Sequence, residues 1–179
     1  MKTGLKIIAL SLLGTFPALN SIAAPVSKDS SSKAQAVTPK ELGWDALMPK
    51  PDKKMIDQFQ SGKLERSEVL SYLNKLGEVA VNDINNTYVR IPGYLVPLNI
   101  DKNQEATELL LVPTMGACLH VPPPPPNQTV YIRYKDGIEV EEAGYTPYWL
   151  TGTLKVEKNN SEYTDTLYAM TVEKIEIYK

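Results

Sequence analysis

The chain has 179 residues, of which 42% are hydrophobic and 22% charged, and its formal net charge is −2. These fractions exclude wholesale disorder, a collagen-like repeat and a polytopic membrane protein. They fit one domain whose core needs no disulfide or metal, and an acidic balance gives no general attraction for nucleic acid or anionic lipid.

Residues 1–23 read as a signal peptide. Lys2 and Lys6 start it, Ile7 to Leu13 form an apolar run too short to cross a membrane, and Ser21 and Ala23 give the small-x-small pattern for cleavage after Ala23. No Cys stands at the end of the run or the expected cleavage site, so no lipid attachment is expected. With no later span, the expected product is periplasmic or secreted, and losing Lys2 and Lys6 makes it more acidic. Residues 24–37 are rich in Ser and Lys and carry no apolar period, so they read as a disordered tether. A single domain then occupies 38–179, opening with a helical arm at 38–78.

In the arm, Thr38-Pro39-Lys40-Glu41 has the form of a capping box with Pro at the first helical position, and predicts a short helical turn. Trp44 is placed to pin the arm to the body. Met55, Ile56 and Phe59 fall at helical spacing within 52–60. Ser67 is positioned to cap a second helix over 68–76, with Val69, Leu70 and Leu73 on one face. Both helices are expected to bury those faces on a larger body.

From Thr87 the pattern turns to strands. Every Tyr but Tyr72 lies there, and β-branched residues alternate with Gly and Pro punctuation. The expected strands cover 88–97, 107–112, 130–135, 148–157 and 166–178, with turns at Asp101–Asn103 and Asn159–Ser161. Gly93 and Gly152, inside strand runs, permit sharp bends. The fold class is mainly β: a small OB-like antiparallel barrel of about five strands with N-terminal helices, closed so that edges disappear.

The stretch 113–128 interrupts the strands without an element of its own, and connections of that length usually carry function. It holds the single Cys and single His of the chain, Cys118 and His120, so an intrachain disulfide and a Cys-rich zinc site are both excluded. In an extended segment i and i+2 share a face, which sets Cys118 beside His120. Three readings stay open. The pair, with Met115 three residues earlier, can ligate Zn(II) or a copper ion. It can form a thiol dyad in which imidazole activates the thiolate, with Asn127 near enough in sequence to orient the ring. Or Cys118 can be a buried core residue. Pro122, Pro123, Pro124, Pro125 and Pro126 form a stiff polyproline rod which, with Asn127 and Gln128, can dock a partner or pack on Tyr131, Tyr134 or Trp149. Glu139, Glu141 and Glu142 read as a solvated hairpin tip. Phosphate-loop, dinucleotide and hydrolase signatures are absent from the sequence.

Gly93-Tyr94-Leu95-Val96-Pro97-Leu98, Leu110-Leu111-Val112-Pro113, and Gly116-Ala117-Cys118-Leu119-His120-Val121 running into the prolines and Asn127-Gln128 resemble a family of exported bacterial proteins of unknown function, often labelled lipoproteins. The resemblance covers residue 42 to the C-terminus. It implies an OB-like barrel and a connection with envelope ABC-transport systems or metal handling, and it supplies no reaction. The reading that results is a non-enzymatic periplasmic binding or accessory protein working through residues 115–128. The alternative is a thiol enzyme using Cys118 and His120.

Overall fold

The computed structural model describes residues 38–117, 123–139 and 145–179. The expected signal peptide and tether lie outside them. The chain divides near residue 36, and the described residues belong to the second unit. No helix among them is long and apolar enough to cross a membrane.

Five long strands close a barrel. A two-residue strand β1 (Lys40–Glu41) comes first, followed by helices α1 (Lys53–Gln60) and α2 (Arg66–Gly77). The barrel strands are β2 (Thr87–Leu98), β3 (Glu105–Val112), β4 (Val130–Glu139), β5 (Tyr148–Asn160) and β6 (Asp165–Ile177). Neighbours run β2-β3-β4-β6-β5, and β5 pairs back onto β2. This is the five-stranded Greek-key barrel of the OB type. All five expected strands form; the expected turn joins β2 to β3, while Asn159 and Asn160 extend β5 and the turn to β6 runs from Ser161 to Thr164.

One pair departs from the expected antiparallel pattern. β4 and β6 run parallel, from Val130↔Tyr168 to Arg133↔Thr171, because β5 intervenes in the chain and returns its direction. Gly93 and Gly152 sit where a neighbouring backbone comes close. A Cβ on Gly93 would lie 2.7 Å from Val112 O, and one on Gly152 would overlap Thr171 O. The core alternates along the strands: Val89, Ile91 and Leu95 from β2, Leu109 and Leu111 from β3, Leu150 and Leu154 from β5, Tyr168 and Met170 from β6. Each such large side chain contributes about 1.5–3 kcal/mol on burial. Val96, Leu98, Leu110 and Val112 face outward at one end and form a second, smaller cluster with Ala117.

The arm differs from expectation in three places. Thr38–Glu41 does not start a helix: Lys40 and Glu41 pair with Val89 and Arg90 in parallel, and Leu42 N–H donates to Arg90 O. Sheet pairing there outweighs the local capping pattern. α2 begins two residues earlier than a Ser67 cap would set it, with Glu65 N–H donating to the Glu68 carboxylate at 2.9 Å. The helices do not bury their apolar faces. α1 has no buried residue, and Ile56, Phe59, Leu70 and Leu73 are exposed. Trp44 does pin the arm, its Nε1–H donating to Pro92 O at 2.7 Å.

Candidate functional site

β3 ends at Val112, and Pro113 cannot extend its ladder. A turn follows in which Gly116 takes φ +75°, a conformation open to glycine, and Ala117 N–H reaches Thr114 O. That turn drives Ala117 into the outer cluster, where it is 1% exposed, and leaves Met115 57% exposed at the rim. The segment therefore enters from a fixed point.

It also leaves from one. Pro126–Gln128 form a single 3-10 turn. The Asn127 side chain is fully buried, and its Nδ2 donates to Leu76 O at 2.9 Å and Val79 O at 3.0 Å. Leu76 O lies in the last turn of α2 and also accepts from Val79 N–H at 3.2 Å, and Val79 follows the helix. Among the described residues, Asn127 Oδ1 has no hydrogen-bond partner. Gln128 Nε2 donates to Trp44 O at 3.1 Å. Pro125 rests on Gly77, where an added Cβ would meet Pro125 Cβ at 2.6 Å. The end of the loop thus ties α2 and the arm to the barrel.

The site residues expected from sequence divide accordingly. Cys118, His120 and Pro122 lie outside the described residues, as do Glu141 and Glu142. Met115, Pro123 and Pro125 are exposed, and Pro124 and Pro126 are half-buried. Asn127 and Gln128 are committed to internal bonds, so the end of the rod packs on α2 and the arm. Among the described residues no three His, Cys, Asp or Glu side chains converge to hold a metal.

A polar groove of about 330 Å³ opens between the β2–β3 and β5–β6 turns, lined by Leu98, Asn99, Tyr131, Asn160, Ser161 and Glu162. Burial raises the Tyr131 phenol above its ordinary value, and a hydrogen bond to Glu108 adds to this. Arg133 lies 5.0 Å over the Tyr131 ring and donates to Glu157 at 2.8 Å and Asn159 at 3.1 Å. On the opposite side of the barrel Arg90 lies 4.1 Å over Trp149. Sequence reasoning missed these groupings because they depend on strand register, which single-residue patterns do not carry.

Comparison with known proteins gives a family. No curated protein matches. The chain is similar to the crystal structure of a DUF3299 family protein from Pseudomonas aeruginosa PAO1, with 32% identity, a TM-score of 0.61, and coverage of 79% of this chain and 97% of that one. Residues 44–177 match the family described as protein of unknown function (DUF3299). The chain belongs to the DUF3299 family.

Proposed function

We propose that this is an exported, non-catalytic accessory protein that handles a transition-metal ion for an envelope ABC-transport system. The 115–128 loop is its working surface, with Cys118 and His120 as ligands and Met115 as a third, thioether donor. Thiolate and imidazole suit Zn(II), and the thioether favours Cu(I). The supporting observation is the mounting of the loop. Ala117, directly before Cys118, is buried in the outer cluster, and Asn127 is clamped to α2, while Met115 is exposed two residues before the first anchor and Pro123 is exposed between the two. A segment fixed at both ends loses less conformational freedom on binding than a free one.

The test is metal content after purification without chelator, for the protein and for Cys118→Ser and His120→Asn. About one Zn or Cu per chain, lost in both variants, is the expected result. A metal-free protein whose melting temperature moves with neither Zn(II) nor Cu(I) would overturn the reading. Alkylation of Cys118 against pH separates this reading from a thiol enzyme. An activated thiolate titrates below about 7.5, whereas an unactivated one titrates near 8.5.

A further inference from the structure

Among the described residues, β4 and β6 do not pair along the whole height of the barrel. β4 and β6 stop pairing after Arg133↔Thr171, yet β4 runs on to Glu139 and β6 to Ile177. Two irregularities open this seam. On β4, Arg133 pairs with Glu108 of β3 and the next pair is Ile138 with Ala106, so Tyr134–Gly137 form a bulge, with Gly137 at φ +72°. On β6, Val172 pairs with Gly152 and Lys174 with Thr151, which leaves Glu173 as an extra residue. Bulges of this kind bend a strand and end its pairing. Among the described residues, Val172–Ile177 pairs with β5 along one edge only.

Two grooves follow the seam. One of about 480 Å³ lies among Glu108, Arg133, Lys135, Asp136 and Glu173. The other, about 390 Å³, lies among Glu105, Tyr134, Ile138, Glu139, Ile175 and Ile177. Tyr134, Ile138, Ile175 and Ile177 give the second groove its apolar lining, and Ile177 is 57% exposed. The walls are acidic. Glu105, Glu108, Asp136, Glu139 and Glu173 stand against Arg133 and Lys135, and Arg133 is already paired with Glu157.

We propose that this seam receives an extended segment of a partner polypeptide, added as a strand on β6 at Val172–Ile177, with apolar side chains at alternate positions and basic ones between them. An unpaired strand edge offers N–H and C=O groups that a peptide backbone satisfies, and alternate side chains then read the apolar lining and the acidic walls. The acid excess selects a basic segment. The seam does not involve the 115–128 loop and goes beyond the metal reading.

The experiment uses the full chain and three octapeptides: alternating Lys and Val, alternating Glu and Val, and the Lys–Val peptide N-methylated on every amide. Binding is read by fluorescence anisotropy and backbone protection by hydrogen exchange. The Lys–Val peptide is expected to bind at least about tenfold more tightly than the Glu–Val peptide, to protect amides within Val172–Ile177, and to lose binding when N-methylated. Ile177→Lys puts a charge on an exposed position of the edge and should weaken binding about tenfold without changing the melting curve. Asp136→Lys with Glu139→Lys should shift preference toward the Glu–Val peptide. Absence of binding, or equal binding of the N-methylated peptide, would overturn the proposal. So would protection of the same amides without peptide: concentration-dependent protection would assign the edge to a second copy, and concentration-independent protection to the chain itself.

Discussion

Tyr168 shows how a single polar group organises the molecule. Its ring is fully buried, its hydroxyl donates to Leu47 O at 2.8 Å, and it accepts from Val81 N–H at 2.6 Å. One oxygen therefore joins the arm, the segment after α2 and β6. Tyr168→Phe keeps the ring and strands both partners, which should cost about 1–3 kcal/mol in urea unfolding with little change in slope. Asn127 does the same for α2. Asn127→Ala should cost a comparable amount, about 1–3 kcal/mol, and speed amide exchange at the end of α2 ahead of the barrel. Neither role was legible in the sequence. Asn127 reads as loop surface, and nothing local says that carbonyls about fifty positions upstream need its donors.

At the scale of elements, the strands were legible and the arm only in part: its helices and the Trp44 anchor were, its first strand was not. Alternation, aromatic density and Gly or Pro punctuation locate five strands because each strand has one face on the core. The helical period located α1 and α2 but could not say what their apolar faces meet, and Ile56, Phe59, Leu70 and Leu73 remain exposed. The Thr38–Glu41 pattern failed because a neighbouring strand offered Lys40 and Glu41 a ladder. Gly152 carried a true signal: a glycine inside a strand marks a close approach. Gly152→Ala would push a Cβ onto Thr171 O. It should destabilise by about 1–3 kcal/mol or more, as overpacking does, read as a lowered melting temperature.

For the whole molecule, charge sets the response to pH. The hydrogen bond and charge of Arg133 hold Glu157 below the usual carboxylate range, and Lys174 does the same for Glu176. A lowered carboxylate value means stabilisation that is complete above the ordinary value and lost as pH falls through the lowered one. Glu157→Gln should therefore be less stable than the parent near neutrality and match it in strong acid, and added salt should shrink the difference because the pair is exposed. Tyr168 acts on the alkaline side. Burial raises its value above 10.0, so stability should fall as pH climbs past the ordinary tyrosine range. The barrel order and the anchors at Ala117 and Asn127 belong to this scale.

X-ray absorption at the metal edge tests the functional reading most directly, because it reports which atoms touch the ion. Protein loaded with one equivalent of Zn(II) should show a sulfur neighbour at about 2.3 Å and a nitrogen neighbour at about 2.0–2.1 Å, with the sulfur shell lost in Cys118→Ser. A spectrum fitted by oxygen and nitrogen alone, and unchanged by that substitution, would contradict it.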